Sequence, residues 1–243
     1  MVDVDTKIVD ALDLKSPSNH AINRSHNRRD LLRVIAAGGI GAWLSTAITG
    51  CASEVADPTV HVTFNFSSDQ GVLNFTYVYL QFMADFYNRI GRSKYVGMTI
   101  NENNRLSTLA YQKEIHRNAL QQLTPGPRMD AALFDVHTVD FSSREAVLGF
   151  AQTFEDLGVA TLNGLTPLLR DATNLTFIGK TKSGWARHAA LIRDLIDIAA
   201  GTSRIGFVGT VDSRGLDQAT TVSAALTLMR PYFRTTLSAI GAP

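Results

Sequence analysis

The side chains in this chain best suited to chemistry are two histidines and a carboxylate set within helical patterns: His116, Glu155 and His188. Imidazole and carboxylate are the donors of metal centres in helical bundles. Two metals bridged by carboxylates require one Glu from each of two helices. They also require a Glu-x-x-His pair from each of the other two, because residues three apart share a helix face. No Glu-x-x-His occurs here. Lys113 stands three residues before His116, and Trp185 stands three before His188. A lysine on that face sets a cation where a metal ion would lie, and like charge opposes its entry. Lys113 and Glu155 instead suit each other. An interior charge is costly alone and tolerated when paired.

The elements that position these residues read as helices. A stripe spaced by three and four (Leu73, Tyr77, Leu80, Met83, Ala84, Tyr87) predicts a helix over 71–90. A second, over 105–123, carries Leu106, Leu109, Ala110, Lys113, His116 and Leu120 on one stripe and ends at Pro125-Gly126-Pro127. A link over 128–141 follows, with Phe134 and Phe141 as anchors. Ser142 or Ser143 then caps a third helix over 144–164, whose stripe is Val147, Phe150, Ala151, Phe154, Leu157 and Gly158. The fourth, over 183–200, turns Trp185, His188, Ala189, Ile192, Leu195, Ile196 and Ala199 inward. A weaker C-terminal helix spans 216–230 and stops at Pro231. The expected architecture is all-α: a four-helix bundle with a long crossover between helices 2 and 3 and an additional C-terminal helix. Ahead of it, Val60 to Phe66 alternates and reads as a short strand.

Several separated segments resemble one family. Thr153-Phe154-Glu155-Asp156-Leu157-Gly158-Val159-Ala160 with Asn163-Gly164, Leu73-Asn74-Phe75 with Phe86-Tyr87, and Ala186-Arg187-His188-Ala189 are similar to the ferritin-like proteins related to plant and bacterial desiccation-associated proteins. The resemblance spans about residues 70–200 and implies a ferritin-like bundle. It also implies metal ligands, of which only His116, Glu155 and His188 stand where ligands are expected. Leu80 and Met83 align with the glutamates of the family's first helix. The expected outcome is a largely lost dimetal site, with no cofactor or at most a single metal ion on those three residues.

Bland alternatives stand beside each candidate. His116 and His188 read as core histidines before they read as ligands, since each lacks its carboxylate partner. Glu155 suits Lys113, Arg187 or a histidine as well as a metal. Glu114 is two residues from His116 and does not share its face. Asp85, Asp194 and Asp197 read as solvent-facing, and Tyr77, Tyr79 and Tyr87 as packing. No phosphate-binding glycine loop and no nucleophile elbow is present.

Residues 1–51 read as an address. Arg28-Arg29-Asp30-Leu31-Leu32-Arg33 resembles a twin-arginine export motif. Val34 to Gly50 is uncharged for 17 residues, and Ile48-Thr49-Gly50-Cys51 resembles a lipobox whose cysteine is acylated. The resemblance implies the twin-arginine translocase as a transient partner and a lipid anchor at Cys51. It places the protein on the periplasmic side of the envelope. Residues 52–69 read as a tether and 70–243 as the helical domain. Six of the 23 basic and five of the 22 acidic residues precede Cys51, which leaves 17 of each. That balance gives no electrostatic support to nucleic-acid binding. Cys51 is the only cysteine, so no internal disulfide forms and packing must hold the fold. These expectations add up to a membrane-anchored, more structural or binding than catalytic protein, with single-metal binding as the alternative.

Overall fold

The computed structural model describes residues 61–123, 134–199 and 211–242. The signal segment with Arg28, Arg29 and Cys51, and the tether up to Val60, lie outside the described residues. So does the start of the crossover.

The order is β1 (His61–Asn65), α1 (Asp69–Arg92), α2 (Ile100–Leu123), α3 (Arg144–Leu165), α4 (Ala172–Ala199), α5 (Val222–Met229) and β2 (Thr236–Ile240). Helix α1 packs mainly on α2, and α3 on α4. These two hairpins, joined by the crossover, form the expected all-α bundle. Helix α1 is its axis. Fifteen of its 24 residues are buried, including Phe75, Tyr79, Phe82 and Phe86 outside the predicted stripe. A helix covered on every side is apolar all round. Its neighbours are α2, α3, β1 and Phe233. In α2 only six residues of 24 are buried, so that helix forms an outer wall.

The third helix matches its prediction, and Ser143 caps it by accepting from the Ala146 N–H at 3.2 Å. Helix α1 begins at Asp69, two residues early, and two others begin well before their predicted starts. Helix α2 starts at Ile100 because Thr99 and Glu102 form a reciprocal cap. The Thr99 N–H donates to Glu102 Oε2, and the Glu102 N–H donates to Thr99 Oγ1, each at 3.1 Å. Helix α4 starts at Ala172, eleven residues before the prediction, with Asp171 Oδ1 accepting from the Asn174 N–H at 2.9 Å. Both caps are legible in sequence as Thr-x-x-Glu and Asp-x-x-Asn. On α4, Trp185, His188, Ala189, Ile192 and Leu195 are buried as expected and Ile196 is half-buried. The side chain of Ala199 lies outside the description.

The C-terminal region departs most from expectation. Its helix is confined to Val222–Met229, because a turn at Asp212 with Gly215 at φ 78° and a bridge between Val211 and Asp217 occupy the preceding residues. After Pro231 the chain forms β2, which pairs in parallel with β1, His61 opposite Thr236 and Asn65 opposite Ile240. Val62, Phe64 and Phe66 point into the core. The folded domain therefore takes in part of the stretch read as tether. Phe134 and Phe141 pack against the core as anchors. Among the described residues no helix is long and apolar enough to cross a membrane.

Candidate functional site

Each of the four long helices contributes to a polar cluster in the middle of the bundle. Helix α2 supplies Lys113, α3 supplies Glu155, α1 supplies Tyr87 and α4 supplies His188. The Lys113 ammonium donates to Glu155 Oε2 at 2.7 Å, and both side chains are 0 % exposed. The Tyr87 hydroxyl donates to Glu155 Oε1 at 2.8 Å. Both carboxylate oxygens are thereby used, one by a cation and one by a hydroxyl. The Lys113 Nζ also lies 4.3 Å from the ring centroid of Trp185, whose face stabilises the ammonium in a dry setting. Burial pulls the lysine below its usual pKa, and Glu155 pulls it back. Burial and then the Glu155 charge push the Tyr87 hydroxyl well above its usual range, so it stays a donor.

The packing that holds this cluster is close. Trp185 and Tyr79 lie with ring centroids 5.3 Å apart, and the Tyr79 hydroxyl donates to the Phe154 carbonyl. Gly158 makes room for both rings. A Cβ there would stand 2.8 Å and 2.9 Å from Trp185 and 3.0 Å from Tyr79. Arg144 holds the α2–α3 end, donating to Glu102 Oε1 at 2.7 Å and the Leu195 carbonyl at 2.8 Å.

His188 Nδ1 lies 3.9 Å from Glu155 Oε2, and its Nε2 donates to the side-chain oxygen Oε1 of Gln112. That donation leaves Nδ1 with its lone pair and without a hydrogen-bond partner. Burial, with Lys113, His116 and Arg187 as nearby positive or ionisable groups, lowers His188 to about 2. His116 lies alongside, its ring 6.4 Å from that of His188 and tilted 13° from it. Its Nδ1 is also buried and unpartnered. Gly184 passes beneath His116, where a Cβ would meet Cε1 at 3.2 Å.

The three predicted ligands are thus neighbours, yet they do not form a ready ligand shell. Among the described residues no group of three His, Cys, Asp or Glu is placed to hold a metal ion. Glu155 takes Lys113 from among the partners open to it in the sequence. The residues read as solvent-facing behave mostly so. Asp85 is half-exposed and meets Arg92 at 3.8 Å, and Asp194 is exposed and accepts from Arg105 at 3.2 Å. Glu114 accepts from Asn88 at 2.7 Å, and Asp197 is half-buried. Tyr87, read as packing alone, proves to be a hydrogen-bond donor to the central carboxylate. Gln112 had no sequence signal beyond lying four residues before His116.

A family model described as a ferritin-like domain matches residues 68–197. The chain belongs to the ferritin-like domain family. No curated protein and no solved structure matches it. A dimetal centre of the bundle type described above does not fit the residues of this ferritin-like chain. The central carboxylate is neutralised by Lys113, no Glu-x-x-His is present, and Leu80 and Met83 of α1 are buried apolar side chains that offer no ligand.

Proposed function

We propose that this ferritin-like protein is an exported lipoprotein with a largely lost dimetal site and a structural or binding role on the periplasmic side of the envelope. The observation that carries the non-catalytic part is the Lys113–Glu155 pair. A buried ammonium 2.7 Å from the central carboxylate supplies the positive charge that this carboxylate would otherwise seek from a metal. The core then stands without a cofactor.

The location rests on the sequence of residues 1–51. Arg28-Arg29 would engage the twin-arginine translocase, and Cys51 would carry the acyl chains that hold the domain at the membrane. More than one acyl chain suffices for stable anchoring. Metabolic labelling with a radioactive fatty acid tests this. The protein should take up label and sediment with membranes, Cys51→Ser should abolish labelling, and Arg28→Lys with Arg29→Lys should leave unprocessed chain in the cytoplasm. Label retained in Cys51→Ser overturns the anchor.

Metal analysis of the purified protein tests the other half. A folded protein without bound metal supports the reading. About one equivalent of tightly held iron, zinc or manganese, lost in His188→Ala, would replace it with a single-metal site on His116, Glu155 and His188.

A further inference from the structure

We infer that the connection between α1 and α2 is a membrane-contacting surface, with Val96 and Ile100 entering the headgroup region of a lipid bilayer. The inference rests on the lipid anchor proposed at Cys51 and adds the side of the domain that this anchor turns to the membrane.

The first observation is exposure. Among the described residues, Val96 and Ile100 are the two most exposed large apolar side chains, at 87 % and 75 %. Single exposed apolar residues are ordinary, but two held out by one short connection make a contact surface. The connection is built to hold them out. The Met98 N–H donates to the Tyr95 carbonyl at 3.2 Å, and Gly97 at φ 80° supplies the backbone that such a turn needs. Tyr95 is buried and Met98 packs against the core, which anchors the turn from within. The Val96 N–H donates to the Ser142 carbonyl at 3.3 Å and ties the tip to the chain just before α3.

The second observation is the direction of the chain that leads to the anchor. Strand β1 runs against α1. Its last residue, Asn65, lies at the start of α1, where a Cβ on Gly71 would meet the Asn65 carbonyl at 2.0 Å. Its first residue, His61, pairs with Thr236. Phe233, three residues earlier, packs on Phe82 in the second half of α1, with ring centroids 5.2 Å apart. The beginning of β1 is thus displaced towards the C-terminal end of α1, the end that carries Val96. Ten residue steps separate His61 from Cys51, a reach of at most about 35 Å, and α1 is about 36 Å long. An acylated Cys51 can therefore stand level with Val96.

The third observation is charge. Between Asp85 and Glu102 the chain holds Arg89, Arg92 and Lys94 and no acidic residue. Arg92 and Lys94 are exposed beside the tip. The neighbouring carboxylates mostly have partners: Asp85 meets Arg92, Glu102 is held by Arg144, Asp194 by Arg105, and Asp140 by the Ser142 N–H and hydroxyl. Glu145 is exposed on the first turn of α3. Basic side chains beside an apolar tip fit lipid phosphates while the tip lies beneath them.

The test uses the full chain as the cell exports and acylates it, returned to vesicles of phosphatidylethanolamine and phosphatidylglycerol. A thiol-reactive fluorophore is placed by Ser93→Cys beside the tip, or by Leu175→Cys at the other end of the bundle. Spin-labelled lipids should quench the label at Ser93→Cys and spare the one at Leu175→Cys. Adding Val96→Glu and Ile100→Glu should remove most of the quenching at Ser93→Cys, while the chain still sediments with the vesicles. Equal quenching at the two ends, or none at either, in a chain that sediments overturns this inference and leaves the anchor standing. Quenching that survives Val96→Glu with Ile100→Glu also overturns it. So does self-quenching between labels at Ser93→Cys without quenching by lipid, which would put a second copy on the tip. The parent chain should take no fluorophore, because acylation occupies the Cys51 thiol. A parent chain that is labelled and leaves the vesicles overturns the anchor, and this inference with it.

Discussion

Lys113→Met at neutral pH should destabilise the protein by about 3–5 kcal/mol, the range for removing one partner of a buried ion pair. The structure places the expected loss within that range. Both side chains are 0 % exposed, so water does not screen the carboxylate that is left behind. Glu155 would keep one donor, the Tyr87 hydroxyl at 2.8 Å, and no cation. The contact between Lys113 and the Trp185 face disappears in the same change and belongs to the same measured loss. Methionine matches the aliphatic stem closely enough that a cavity adds little. The measurement is urea unfolding of the full chain in detergent, followed by far-UV circular dichroism and by tryptophan fluorescence. The decisive comparison is the double variant Lys113→Met with Glu155→Leu. Removing both charges eliminates the unpaired carboxylate, leaving the Tyr87 hydroxyl short of a partner at a cost of about 1–3 kcal/mol. The double variant should therefore be more stable than Lys113→Met alone. A loss below about 0.5 kcal/mol in the single variant, which is the size of a surface substitution, would refute the buried pair. So would a double variant no more stable than the single.

Gly158→Ala should cost about 1–3 kcal/mol by overpacking, since its Cβ would press on Trp185 and Tyr79 at 2.8–3.0 Å; a neutral result in thermal unfolding would mean the two rings can give way. Stability should fall with acid through His188, whose folded value is lowered from 6.5 to about 2. Above pH 6.5 neither state binds a proton there, whereas below it the unfolded chain takes one up and the folded chain does not. The loss should therefore grow by about 1.4 kcal/mol per pH unit below about 6.5, and His188→Gln should flatten that part of the urea-midpoint profile. Asp69 at the start of α1 accepts from the Arg170 and Asp171 N–H groups at 2.9 Å and from Asn174 Nδ2 at 3.0 Å. Asp69→Ala should remove about 1–2 kcal/mol and raise hydrogen exchange at the first turn of α4; unchanged exchange there would show that this clamp is dispensable.

Local sequence carried the helices because their signals are local. Spacing by three and four marked the buried faces of α1, α3 and α4, and Ser143 marked the start of α3. Where a boundary was misjudged, the deciding signal was still local: the Thr99–Glu102 and Asp171–Asn174 caps each involve residues three apart. The β1–β2 pair was different. Its strands come from opposite ends of the described chain, and nothing in Thr236 to Ile240 indicates which distant segment it will meet. The full burial of α1 was equally non-local, since it depends on how many neighbours surround the helix rather than on its own periodicity.

The central site divides the same way. Sequence alone determined that Glu-x-x-His is missing, that Lys113 stands on the His116 face and that Glu155 is one carboxylate suited to pair with it. Charge and helical register sufficed for that, because both are properties of the chain before it folds. Only the tertiary structure decided that Glu155 chooses Lys113, that Tyr87 takes its second oxygen, that Gln112 fixes the His188 tautomer and that Trp185 covers the ammonium. Those choices follow from distances between four helices brought together by apolar burial. In a dry interior each polar atom is held to whichever partner packing brings within reach.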